Sequence, residues 1–133
     1  MRILIAEDEP DYKNVLVETL GYQGHTILTA CNGEEAIQIL RRTPVELIIS
    51  DIHMPKCMGT QLHEMVRNDK SLMEIPFIYI TGYSILRIAT PLDQSGLDFM
   101  VNKVPFGRLL QVVDGISNRG ERTVGDQLAF GAS

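Results

Sequence analysis

The sequence has no tryptophan, two cysteines, and only 12 lysines and arginines against 17 aspartates and glutamates, a net charge of −5 over 133 residues. That balance argues against nucleic acid or an anionic membrane surface as a partner, since both draw on clustered basic side chains. Cys31 and Cys57 lie outside any CxxC pair, so neither a zinc site nor a redox motif is supported, and both read as reduced thiols. No apolar run approaches membrane-spanning length. The first apolar run begins at residue 2, which leaves no room for a signal peptide, and a cytoplasmic location is expected.

What remains is the composition of an ordinary globular chain, 44% hydrophobic and 22% charged. At this length one domain buries roughly two-thirds of the surface its unfolded form exposes. Five short apolar runs recur: RILIA (2–6), HTILTA (25–30), ELIIS (46–50), PFIYI (76–80) and LDFMVN (97–102). They read as strands, and the first, third and fourth lack strict alternation, as parallel strands covered on both faces do.

Helical patterns fill the intervals. In the first, Pro10 suits an initial helical position, Tyr12, Val15, Leu16, Thr19 and Leu20 share a face, and Gly21 is a stop signal. In the second, Asn32 and Glu35 have capping-box spacing ahead of Ala36, Ile37 and Leu40. A third carries Leu62, Met65 and Val66, and another near the end carries Leu109, Val112, Val113 and Ile116. Between the fourth and fifth strands Pro91 interrupts the pattern, so the fourth helix is expected to be short or irregular. From Ser117 onward no period is evident. The expected organisation is one domain over 1–118 and a flexible tail or linker start over 119–133. Alternating strand and helix imply an α/β fold, a doubly wound five-stranded parallel sheet of flavodoxin-like order, in which function sits at the carboxyl ends of the strands.

The first strand ends in Glu7, Asp8 and Glu9, the third in Asp51, the fourth in Thr81 and the fifth in Lys103. Singly, each has a plain explanation: a helix cap, an Asx turn, a solvated lysine. Together they put several carboxylates on one rim, where like charges repel unless a cation sits among them. Mg²⁺, which takes oxygen ligands and is held by one or two carboxylates plus a phosphate, would resolve that conflict.

ILIAEDEP and IISDIHMPKCMG resemble the acidic first-strand end and the phosphoacceptor loop of the receiver domains of two-component response regulators. Thr81 follows Asp51 by 30 residues and Lys103 follows Thr81 by 22, spacings that suit that family, and the similarity extends from residue 2 to about 117. The resemblance implies that Asp51 accepts a phosphoryl group and that Glu7, Asp8, Asp51 and the backbone carbonyl of His53 bind Mg²⁺. It also implies that Thr81 donates its hydroxyl to a phosphoryl oxygen and that Lys103 pairs with Asp51 and then with the phosphate. The donor would be a histidine kinase or a histidine phosphotransfer protein, and the output an unidentified downstream protein. Such a module is not an enzyme, although it supports its own phosphorylation and slow autodephosphorylation. The His53 imidazole, two residues past Asp51, is a candidate for tuning that hydrolysis.

The chain departs from the family pattern in two places. Met100 stands where most relatives have an aromatic switch residue, with Phe99 on the opposite face of its strand, and Val104 separates Lys103 from Pro105. An aromatic-rotamer switch is therefore not expected. PFIYITGY also resembles a motif of receivers associated with HWE-type histidine kinases, in which the fourth helix is shortened or disordered, and residues 83–95 are expected to be loosely ordered until phosphorylation or partner binding.

Other classes fit less well. A degenerate receiver serving only as a protein-interaction module is the alternative that the altered switch positions suggest. A flavodoxin-like cofactor binder would want backbone N–H groups and hydroxyls where this chain is acidic. A phosphatase would want a second acid where His53 stands.

Overall fold

The structure, a computed structural model, describes the backbone of residues 1–82 and 96–132 and the side chains within them up to residue 119. In chain order the described elements are β1 (Arg2–Ala6), α1 (Pro10–Tyr22), β2 (Thr26–Ala30), α2 (Gly33–Arg42), β3 (Leu47–Asp51), α3 (Gly59–Arg67), β4 (Phe77–Thr81), β5 (Asp98–Asn102) and α4 (Phe106–Ala132). All strand pairs are parallel, in the order β2-β1-β3-β4-β5. The chain order reverses between β1 and β3, which opens a crevice at their carboxyl ends.

Alternation along the strands divides the core. Leu4, Ile48 and Phe77 pack beneath α2 and α3, while Ile3, Ile49 and Ile78 pack beneath α1 and α4. Every residue of β3 and β4 is buried, as expected for central strands covered on both faces. β2, on the edge, is only partly so. Met100 joins the α2/α3 side and Phe99 the other, where Arg119 lies 5.6 Å from its ring centroid.

Several local expectations need correction. α1 runs through Gly21 to Tyr22, and the turn is made instead at Gly24, whose φ of +95° suits glycine. Its inward face centres on Leu16 and Leu20 and takes in Val17, while Val15, about 140° around the helix from Leu20, is 48% exposed. Met65 of α3 is likewise exposed. Asp51 is the last residue of β3 and Thr81 the last of β4, at the strand ends where the sequence puts them. The final helix, expected to stop near Ser117, continues as backbone helix to Ala132. Its first turns are docked by Leu109, Val113 and Ile116, and extending an existing helix costs far less than nucleating one. The expectations for a fourth helix and for loose order over 83–95 fall outside the described residues.

α2 begins as anticipated, with the Asn32 side chain accepting the Glu35 N–H at 2.9 Å. α3 starts on Gly59 for a steric reason. A Cβ there would stand 2.1 Å from the Asp51 carbonyl oxygen, so only glycine lets the helix start tuck under the end of β3, where its N–H bonds the Ile52 carbonyl at 2.9 Å.

Candidate functional site

The carboxyl ends of β1, β3, β4 and β5 bring the four predicted groups to one rim. Glu7 follows β1, and its N–H is held by the Ala30 carbonyl at 3.0 Å, which fixes the backbone where the acidic loop begins. Its side chain is fully buried, Asp51 is 8% exposed, and Asp8 is exposed to solvent. One carboxylate oxygen from each of Glu7, Asp8 and Asp51 lies within 4.8 Å of the other two. Three oxygen donors converging from two strands, with an open side at Asp8, suit a hard divalent cation that retains water.

Lys103 lies one residue past β5, and its N–H donates to the Thr81 carbonyl at 2.8 Å. Its ammonium donates to Asp51 Oδ2 at 2.8 Å and to Glu7 Oε1, and has Glu9 Oε2 at 3.7 Å. Asp51 Oδ1 accepts the His53 backbone N–H at 3.1 Å, so both oxygens of this carboxylate have donors. The His53 residue itself is exposed. Thr81 is fully buried, one residue beyond the Asp51 to Ile80 register pair on the adjacent strand.

The electrostatics follow from two buried carboxylates sharing one ammonium. Burial pushes Glu7 up to about 7, its hydrogen bond with Asp51 pushes the same way, and Lys103 only partly offsets them. Burial acts against Asp51 too, but its hydrogen bonds with Glu7, Lys103 and the His53 N–H outweigh this and hold it below the usual carboxylate range. Desolvation disfavours the charged form of Lys103, yet the two carboxylates raise it above its ordinary value. Asp51 is thus the more acidic of the two carboxylates, and Lys103 stays charged beside it.

Tyr12 belongs to the site as well. From α1 its hydroxyl donates to the Lys103 carbonyl at 3.1 Å, and Lys103 Nζ lies 4.9 Å from its ring centroid. Burial pushes its phenol up to about 12, so it remains a donor. In the sequence Tyr12 reads only as part of a helix's inward face; no spacing signal links residues 91 positions apart.

At the other end of the sheet, Asp98 is buried and accepts from Arg67 at 2.6 Å, with His63 Nε2 at 2.8 Å. Arg67 also bonds the Met73 and Ile75 carbonyls. This cluster ties α3 to the start of β5, a full strand length from the acidic rim.

Among the described residues, no helix is long and apolar enough to cross a membrane. Comparison with known proteins agrees with the geometry. The family model described as the response regulator receiver domain matches residues 3–114. The chain is 29% identical over 132 residues to transcriptional regulatory protein AfsQ1 of Streptomyces coelicolor, covering 98% of this chain and 57% of that protein. It is 31% identical over 104 residues to hybrid signal transduction histidine kinase D of Dictyostelium discoideum, covering 78% of this chain and 7% of the kinase. It therefore spans little more than half of the first relative and a small part of the second. Among solved structures it is similar to response regulator protein TrrA from Thermotoga maritima in complex with Mg²⁺-BeF, at 32% identity and a TM-score of 0.71, covering 86% of this chain and 97% of that one. A strand order reversing at an acidic crevice, a partly buried lysine bridging two of its carboxylates and a family match over most of the chain lead to one assignment: this chain belongs to the response regulator receiver domains of two-component systems.

Proposed function

We propose that Asp51 is the phosphoacceptor, taking a phosphoryl group from a phosphohistidine on a histidine kinase or a histidine phosphotransfer protein. The observation that carries this reading is the Asp51 carboxylate, nearly buried, bonded to Lys103 at 2.8 Å and grouped with Glu7 and Asp8. Glu7, Asp8, Asp51 and the His53 carbonyl would hold Mg²⁺; the three carboxylates fit a cation through their oxygen chemistry and mutual spacing. Bound there, the ion would neutralise charge on the phosphoryl oxygens.

The chain's own residues supply the rest. Asp51 needs no general base, because its carboxylate is already deprotonated at neutral pH. One carboxylate oxygen forms a bond to phosphorus as the phosphorus–nitrogen bond breaks, and the departing imidazole keeps the electron pair. Lys103 offsets the anionic charge and passes from the carboxylate to a phosphoryl oxygen. Thr81, at the end of the neighbouring strand, donates its hydroxyl to another. The resulting acyl phosphate is hydrolysed slowly on the protein.

Adding about two negative charges beside Thr81 and Lys103 shifts the population of conformers around the fourth and fifth strands. A downstream protein reads that shift. The setting is cytoplasmic, and the partners are proteins and neither nucleic acid nor a membrane surface, which the net charge of −5 supports. A phosphorylated histidine phosphotransfer domain tests the reading as donor: its label moves to the parent chain in the presence of Mg²⁺ and stays put with Asp51→Asn. Equal labelling of both proteins would overturn it.

A further inference from the structure

Lys103 carries the positive charge that the proposed reaction takes from the protein; its backbone N–H is held by the Thr81 carbonyl, but that bond does not fix where its long side chain points. It lies just beyond β5, and the next residue, Val104, is 79% exposed. A lysine on a flexible four-carbon stem loses conformational freedom when held in one rotamer. Three carboxylates compete for its ammonium. Glu7 and Asp51 are inside the rim, whereas Glu9, at 3.7 Å, has a side chain 59% exposed and draws the charge outward.

Tyr12 contacts this lysine at both ends. Its hydroxyl bonds the Lys103 carbonyl at 3.1 Å, and its ring presents itself to the ammonium at 4.9 Å from the centroid, within the range of a cation–π contact. The ring is itself braced edge-on by Phe106 at the start of α4, with centroids 6.0 Å apart and planes at 76°. A rigid side chain with two torsions, set on a helix docked against the core by Leu16 and Leu20, is well suited to restrain a flexible one.

We propose that Tyr12 is a positioning residue for Lys103, its ring and hydroxyl restraining the side chain so that the ammonium stays against Asp51 as the phosphoryl group arrives. The proposal rests on the reading of Asp51 as phosphoacceptor. Tyr12 touches no reacting atom; its action runs entirely through Lys103.

The test is the rate of phosphorylation by acetyl phosphate at saturating Mg²⁺, followed by intact mass on the full chain. Tyr12→Leu, which removes ring and hydroxyl, slows the reaction about fivefold or more, while Tyr12→Phe, which keeps the ring, slows it by no more than about twofold. The Mg²⁺ affinity of the Leu variant does not weaken. In a Lys103→Met background the same Tyr12→Leu change adds no further slowing, a result that a merely structural role would not give. Should the Leu variant unfold at assay temperature, Tyr12→Met, also without a ring face, replaces it. A parent chain that gains no phosphoryl mass would overturn the reading of Asp51. A parent that is modified, with Tyr12→Leu reacting equally fast or slowing both backgrounds alike, would overturn the role of Tyr12 alone.

Discussion

The Lys103 ammonium stands 2.8 Å from Asp51 Oδ2 and simultaneously bonds Glu7, occupying the space between the two buried carboxylates of the rim. The lysine therefore has two opposed effects. In the proposed reaction it is the charge that would favour phosphoryl transfer, and it is a cation that would compete with a bound metal for the same acids. Replacing it with Met should lower the phosphorylation rate by about tenfold or more. The same change should tighten Mg²⁺ binding by about threefold or more, because no ammonium then offsets Glu7 and Asp51. Calorimetric titration with MgCl₂ beside the labelling rate checks both signs.

Gly59 tests how closely the start of α3 must approach β3. Since a Cβ at this position would lie 2.1 Å from the Asp51 carbonyl oxygen, a backbone atom unable to rotate away, Gly59→Ala must displace the helix or the strand. Overpacking of this kind costs about 1–3 kcal/mol. The urea midpoint should fall accordingly with little change in slope.

Much of this site can be read from the chain because a parallel sheet converts sequence spacing into position. Once Asp51, Thr81 and Lys103 are assigned to strand ends, the topology alone places them on one rim. Helix phase is harder. Val15 and Val17 are equally apolar, and which one faces inward depends on how α1 is rolled against the sheet, a tertiary outcome that puts Val15 in solvent. Tyr12 is hidden for a related reason, since its hydroxyl meets a carbonyl from the far end of the chain. The length of α4 is hidden by Gly115, Gly120, Gly125 and Gly131, which lower intrinsic propensity without preventing a docked helix from extending.

His53 contributes its backbone N–H to Asp51, a bond that His53→Ala preserves. The variant should therefore be phosphorylated at close to the parent rate. If the exposed imidazole influences hydrolysis, the lifetime of the acyl phosphate should change by about twofold or more, well short of the roughly 10²-fold expected of a full general acid or base. Single-turnover decay after removal of the donor measures it, and equal lifetimes would remove the imidazole from the mechanism.

Asp98 separates stability from chemistry. Asp98→Asn withdraws the buried carboxylate from partly buried Arg67, and breaking such a pair on one side costs up to about 3–5 kcal/mol. The melting temperature should drop. Mg²⁺ affinity at a temperature where the variant is folded should not change, since Asp98 begins the strand that ends beside Lys103.

The most direct measurement is the intact mass of the chain after incubation with Mg²⁺ and acetyl phosphate, run beside Asp51→Asn and beside the parent in excess EDTA. The parent with metal should gain one phosphoryl group, and neither control should. A gain that persists without the carboxylate or without the ion would contradict the account at its centre.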